Sequence, residues 1–401
     1  MKSVLVYYEK LLGPGGAERQ AVEDCRFLAR SDVRVRLVTH ELVREAIFDL
    51  PAEQVEVLPD GPVLKRVSHL RRLLQAERPD VLSVHSGHLE AFLASAGLGV
   101  PYIFHHNSPI LLHHGDIADY LYAWLYRRAL MAVREWSRGG RDHVDFSKTP
   151  FGWQERPRIE AKALLNWAAV RSARLIVVLS RLTAREVKTV YGAEAFVSRG
   201  CLNTEMLGYQ PARDLKQALG LAGRRVILSI SRLSFEKRID VLLRAFQPLA
   251  QAQPDLVLVI GGKGPQAEEL RRLAGELGIA EQVRFAGFVP QSDLWDTYAM
   301  CDLFVSPAWA DFDIAPYEAL ALQKKVVWST EMETEPWVMA SGLVFEADPT
   351  PDAFGQAIRR ALDAEPASHL DVTPYTWDAK FTRIYQRIFP DFPRGPSGAA
   401  R

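Results

Sequence analysis

The chain has 401 residues, 48% of them hydrophobic and 24% charged, which fits two or three globular domains with cores large enough to need no staples. Lysine plus arginine (49) equals aspartate plus glutamate (49), so the basic excess of a general nucleic-acid binder is missing. Three scattered cysteines, Cys25, Cys201 and Cys301, speak against a disulfide framework or a zinc site, and no run of about 18 apolar residues offers a membrane span.

The start, MKSVLVYYEK, has too short an apolar run for a signal peptide, so the expected location is the cytoplasm. SVLVYY (3–8) is a continuous β-branched and aromatic run and reads as a buried parallel strand. AVEDCRFLAR has helical spacing; VRVRLVTH (33–40) and VEVLP (55–59) are further strands. Residues 63–77 form a helix with Val63, Val67, Leu70 and Leu74 on an apolar stripe and Lys65, Arg66, Arg71 and Arg72 on its polar side. DVLSVHS (80–86) and PYIFHHN (101–107) complete a strand–helix alternation that predicts a doubly wound α/β domain.

Residues 108–170 interrupt the rhythm with an aromatic-rich helical stretch carrying Arg127, Arg128 and Arg134, then a polar loop over 137–157. ARLIVVLS (173–180) and AFVSRGCLN (195–203) return to strand. A second alternation starts near 224, with strands at 225–231, 256–265 (ending in glycines), 282–289, 303–308 and 325–330, and closes on two helices. The tail 391–401, rich in Pro, Gly and Ala, reads as disordered. The domain boundary falls in 204–222.

Ligands of such sheets sit beyond the carboxyl ends of the strands, and the chemically suggestive residues follow strands here. GPGGAE (13–18) fails the dinucleotide fingerprint because Glu18 stands at its third glycine, yet glycines before a helix still suit an anion. In SRLSFEK, Arg232 and Lys237 can converge on one diphosphate, one as a fork and one as a point charge. IGGKGP (260–265) lacks the spacing of an ATPase phosphate loop and reads as a turn over a base or ribose. His85, His88, His105 and His106 lie at or near strand ends, without a zinc-like spacing; each is either a polar positioner or a satisfied structural histidine. The basic helices are either solvated faces or contacts for anionic lipid. ADFDIAPYEA (310–319) is either an Asp-x-Asp metal site or a turn opening a helix that grips a nucleotide through amides.

The series GGAE, PDVLSVH, VPYIFHHN, SRLSFEK, VIGGKGP, VRFAGFV and CDLFVSPAWADFDIAPYEALA resembles the family-4 retaining glycosyltransferases. The resemblance covers both halves and is most specific over 225–346. It implies the GT-B fold, two Rossmann-like doubly wound α/β domains facing across a cleft, with a C-terminal helix crossing back to the first. The implied domains are 1–208 on the acceptor side, 209–375 for the nucleotide sugar, and 376–390 for the crossover helix.

The implied reaction moves a sugar from a UDP- or GDP-sugar to a hydroxyl on a glycan or lipid-linked acceptor, in polysaccharide, glycolipid or glycoconjugate synthesis. It needs no metal or other cofactor and places the protein in the cytoplasm or peripherally at the inner face of the membrane. Arg232 and Lys237 match the diphosphate pair, and His106, or else His105, the histidine near the reacting sugar. Gly15 and Gly16 match the loop facing the donor phosphate. Glu318, near which the stretch 310–319 is expected to enter its helix, matches the ribose-gripping second glutamate of Glu-x7-Glu, while Ile314 and Ala315 match the backbone-amide positions. Gly262, Phe288 and Asp313 complete the expected donor site, with His85 and Asn107 on the acceptor side. The sequence departs from the family where the first glutamate gives way to Ala310, leaving Asp311 or Asp313 as stand-ins, and where Asp313 stands at a position the family gives to glycine. The rivals are a nucleotide-sugar epimerase on the same fold and a non-catalytic partner with a decayed donor site.

Overall fold

The computed structural model describes all residues save Pro14, Asp49, Ser108, 111–118, 137–150, 366–368 and 393–401. The chain divides into two compact units, Met1–Gly200 with Trp377–Arg401, and Cys201–Thr376.

The first unit is built on seven parallel strands: β1 Ser3–Tyr7, β2 Arg34–Thr39, β3 Val55–Val57, β4 Val81–Val84, β5 Tyr102–His106, β6 Leu175–Val178 and β7 Phe196–Val197. Their order is β3-β2-β1-β4-β5-β6-β7. Every residue of β1 and β4 is buried, as expected of strands covered on both faces, and this is why their sequences run apolar without alternating. The order reverses direction between β1 and β4, where Tyr7 pairs with Val84. Loops leaving such a switch point diverge and leave room for a ligand.

The helix Gly16–Arg30 follows β1, with Gly15 extended at its cap, Glu18 in its first turn and Arg30 in its last, both charges suiting the helix dipole. The C-terminal helix Trp377–Ile388 belongs to this first unit. The Phe27 ring lies 5.8 Å from Phe381 and 6.2 Å from Tyr385. Phe392, at the start of the tail expected to be disordered, is buried and stacks 5.9 Å from Phe27; the tail from 393 lies outside the described residues.

The second unit has six parallel strands: β8 Arg225–Ile230, β9 Leu256–Gly261, β10 Val283–Gly287, β11 Leu303–Ser306, β12 Lys325–Ser329 and β13 Val344–Ala347. The order β10-β9-β8-β11-β12-β13 reverses between β8 and β11. Leu242, Phe246 and Leu249 of the helix Ile239–Ala252 join Phe354 and Ile358 of the helix Pro351–Asp363 in one core cluster with the strands. Pro351 sits at the start of its helix, where its missing N–H costs nothing, and the Thr350 hydroxyl caps it by accepting from the Ala353 amide.

Several elements differ from the sequence expectation. The helix Arg156–Ser172 replaces the end of the expected loop; Ile159, Ala163 and Ala169 are buried but Leu164 and Leu165 are exposed, so no single apolar stripe announced it. Of the rest of that loop, 151–155 is bend and turn as expected, and 137–150 lies outside the described residues. Within 195–203 the strand is short, Phe196–Val197, and the chain then leaves the sheet. On the helix Val63–Glu77, Leu70 and Leu74 are buried, whereas Val63 is exposed.

Candidate functional site

In the second unit the candidate residues gather at the carboxyl ends of β8 to β11. Arg232 leaves the end of β8, is exposed, and has no side-chain partner among the described residues. Lys237 does have one: its Nζ lies 3.1 Å from Asp313 Oδ2, which also accepts from Ser306 Oγ at 3.3 Å. Asp313, at a position the resemblance gives to glycine, thus holds one of the two expected phosphate cations. The neighbouring Arg238 is not a second free cation, because it forks onto Glu331 at 2.5 and 3.2 Å.

The helix expected to begin near Glu318 begins at Ile314, with Asp313 as its cap residue. The reason lies in the packing of ADFDIAPY. Phe312 is buried and stacks 4.9 Å from Tyr317, whose ring lies 4.4 Å from Tyr375. This aromatic cluster pins both sides of the first helical turn. Ile314 and Ala315 therefore occupy that turn, where backbone N–H groups lack intrahelical partners and favour anions. Glu318 lies one turn further, 3% exposed, and accepts from the Tyr298 hydroxyl at 2.8 Å. Ala310 and Asp311 are both buried. Among the described residues Asp311 and Asp313 belong to no cluster of three or more metal-type ligands.

The glycines after β9 have a steric reason. Gly262 has φ +131°, and a Cβ there would lie 1.8 Å from the Ser231 carbonyl oxygen. A Cβ on Gly264 would lie 2.2 Å from the Leu233 carbonyl oxygen. The loop after β9 is thereby packed backbone-to-backbone on the loop that carries Arg232, with Leu233 N–H donating to Lys263 O at 2.9 Å. Phe288, just past β10, is exposed, with Lys263 Nζ 5.8 Å from its ring centroid.

In the first unit, the loops after β1, β4 and β5 and the helix Arg156–Ser172 enclose a cavity of about 560 Å³. Its lining includes Tyr8, Ala17, Arg66, His85, His88, His105, His106, Asn107, Lys162 and Asn166. Gly15 and Gly16 stand at the head of the helix that contributes Ala17. Arg66 is not a lipid-facing cation. It donates to Glu90 and Glu9, to the latter at 2.8 Å, and Arg71 donates to the carbonyls of Ala94 and Ala96. Of the four basic residues on that helix, Lys65 and Arg72 are left exposed.

The histidines separate into types. His106 is partly exposed and its ring lies 5.6 Å from Phe104. His88 pairs with Asn166 Oδ1, and burial lowers its pKa below the usual histidine range. His85 and His105 are buried and stacked, centroids 3.9 Å apart and planes 9° from parallel. Burial lowers the pKa of His85, opposed by its hydrogen bond to Asp24. Burial, then the neighbouring His85 and Lys380 charges, hold His105 well below its ordinary value.

Asp24, Ser83, Lys162, Asn166 and Tyr385 escaped the sequence reasoning. Asp24 carried one signal, a carboxylate set among Ala21, Cys25 and Leu28 on a buried helix face. Asp24, His85 and His105 each bring a potential ligand atom within 4.8 Å of the others, the metal-type cluster found among the described residues. The Asp24 oxygens already accept from Ser83, His85 and Tyr385.

Comparison with known proteins places these geometries. The profile described as Glycosyltransferase Family 4 matches residues 14–199, and that described as Glycosyl transferases group 1 matches 211–372. The GDP-mannose-dependent alpha-(1-6)-phosphatidylinositol monomannoside mannosyltransferase of Mycolicibacterium smegmatis is 32% identical over 139 residues, 34% of this chain and 36% of that protein. The alpha-monoglucosyldiacylglycerol synthase of Streptococcus pneumoniae is 32% identical over 117 residues, 29% of this chain and 26% of that protein. The matches thus span about a third or less of these curated relatives. Among solved structures, Anabaena HepE in complex with UDP and glucose superposes with a TM-score of 0.66 at 19% identity, covering 97% of this chain and 96% of that one. Sucrose-phosphate synthase from Thermosynechococcus elongatus gives a TM-score of 0.67 at 16% identity, covering 98% of this chain and 95% of that one. With one profile on each half and both parallel sheets in place, the chain belongs to the family-4 glycosyltransferases of the GT-B fold.

Proposed function

We propose that this protein transfers a glycosyl group from a UDP- or GDP-sugar to an acceptor hydroxyl, with retention at the anomeric carbon and without a metal. The observation that carries the reading is the loop bearing Arg232 and Lys237 at the second unit's switch point, with Lys237 joined to the cap of the helix opened by Ile314. That combination of two cations and unpaired amides suits a diphosphate. As the glycosidic bond breaks, positive charge builds at the anomeric carbon and negative charge on the departing diphosphate. Arg232, Lys237 and the amides at Ile314 and Ala315 stabilise that negative charge, a term of about 3 kcal/mol per donor group. Gly15 and Gly16, at the head of the first unit's helix Gly16–Arg30, offer backbone amides that suit an anion. Glu318 takes the donor ribose, and Gly262 and Phe288 border the base.

The cavity of the first unit receives the acceptor, with His106 and Asn107 orienting the reacting groups. Two relatives at 32% identity are named for lipid products or acceptors, which supports a lipid-linked acceptor here. No described helix is long and apolar enough to cross a membrane. Contact with a lipid surface would fall to the helix Trp124–Trp136, where Trp124, Leu125 and Met131 are exposed together with Arg127 and Arg128.

The test is calorimetric titration with UDP, GDP, ADP and TDP, with and without chelator. One diphosphate should bind tightly in both conditions, and Arg232→Ala should weaken it at least about tenfold, the loss expected for a charge-assisted contact. No binding of any nucleotide would sink the reading and favour a non-catalytic partner, for which buried Ala310 is the supporting feature. Strict dependence on Mg²⁺ would reassign Asp311 and Asp313 to a metal.

A further inference from the structure

Two of the histidines that line the first unit's cavity are controlled from outside it. Asp24 accepts from Ser83 Oγ at 2.7 Å, from His85 Nε2 at 3.0 Å and from the Tyr385 hydroxyl at 2.8 Å. A carboxylate can only accept, so His85 carries its proton on Nε2. Ser83 has one hydroxyl proton, and its 2.7 Å approach to a carboxylate oxygen requires that proton to lie between them. His105 Nε2, 3.0 Å from Ser83 Oγ, must then be the donor of that pair.

Both rings are therefore Nε2–H tautomers with a bare Nδ1. Both Nδ1 atoms are buried without a hydrogen-bond partner among the described residues, a costly state that persists only if something else fixes the rings. Burial and then the Asp24 charge raise the Tyr385 pKa, which keeps its hydroxyl a donor. Lys380, fully buried on the same helix as Tyr385, donates to Gln20, and its charge opposes protonation of both rings.

We propose that Asp24, braced by Tyr385 of the C-terminal helix, is a positioning residue for the cavity wall: it sets His85 and, through Ser83, His105 as neutral Nε2–H tautomers. The role in acceptor binding rests on the function proposed above; the tautomers do not. A divalent cation on Asp24, His85 and His105 is the competing use of the same atoms. It would have to compete with donors already on both carboxylate oxygens, Ser83 and His85 on Oδ2 and Tyr385 on Oδ1, beside the Lys380 ammonium.

The experiment is long-range ¹H–¹⁵N spectroscopy of the full chain labelled at histidine, near neutral pH, with His85→Gln and His105→Gln to assign the signals. Each ring should show a single Nε2–H pattern in the wild type. Asp24→Asn should convert His85 from one tautomer to a mixture, and Tyr385→Phe should do so to a smaller extent. Wild-type rings that are Nδ1–H or doubly protonated would overturn the proposal, as would one equivalent of metal co-purifying with the protein. Unchanged tautomers in both variants would overturn it too. If Asp24→Asn fails to fold, Tyr385→Phe, which removes one hydroxyl, decides alone. Because no substrate is needed, loss of the nucleotide-binding reading would leave this result standing.

Discussion

At the scale of single residues, the donor half of the site depends on backbone approach as much as on charge. Arg232 and Lys237 are useful only if their loop keeps its path, and that path rests on Gly262 and Gly264 having no side chain. A Cβ at 264 meets backbone carbonyl, which cannot swing away as a side chain could. Gly264→Ala should therefore abolish detectable nucleotide binding in calorimetry and lower the melting temperature. The overpacking cost is about 1–3 kcal/mol. The histidines make a second residue-scale prediction. His85, His88 and His105 are all held below the ordinary histidine range, burial being the first cause in each. The unfolded chain takes up these protons near pH 6.5, the folded chain only at lower pH. Their contribution is thus complete above about pH 6.5 and is lost as pH falls below it, because the unfolded state then binds more protons. Melting temperature should drop on acidification from about pH 7 to about pH 5, and less steeply in His105→Gln; equal slopes would remove His105 from the account.

At the scale of elements, the C-terminal helix joins the first unit, as the resemblance implies, and its packing there is specific. Trp377, Phe381, Ile384 and Tyr385 are all buried, and Phe381 and Tyr385 face Phe27 of the helix Gly16–Arg30. Phe381→Ala should destabilise the first unit by about 3–5 kcal/mol in denaturant titration, although the second unit separates it in sequence from the rest of that core. The helix Trp124–Trp136 makes a separate prediction. Flotation with vesicles containing anionic phosphatidylglycerol should carry the protein, and Trp124→Ala should reduce the bound fraction several-fold, an interfacial tryptophan being a strong anchor. Protein that stays unbound at low salt would remove the membrane contact. The strands were legible because β-branched runs buried on both faces look alike in any sequence. The helix Arg156–Ser172 was not, because Leu164 and Leu165 break its apolar stripe. The start of the helix at Ile314 was misplaced because its position is set by Phe312 stacking on Tyr317, a contact that leaves no periodic trace.

At the scale of the whole molecule, each unit has its own sheet and its own core. A ligand that binds one unit stabilises that unit by mass action, about 2.7 kcal/mol at a hundredfold excess over Kd. Hydrogen exchange with saturating nucleotide should slow in peptides covering 231–238, 262–266 and 313–319. Protection confined to the first unit would refute the donor assignment.

Taken by itself, the sequence determined the two strand–helix alternations, the loops that follow their strands, and the cations Arg232 and Lys237, because these are local consequences of residue type and spacing. Only the tertiary structure decided which protein partners the charged and polar groups take. It gave Lys237 to Asp313, Arg66 to Glu9 and Glu90, His85 to the buried Asp24 carboxylate and His105 to Ser83. Those partners lie tens of residues apart, and the energy that joins them comes from burial, which no local pattern records.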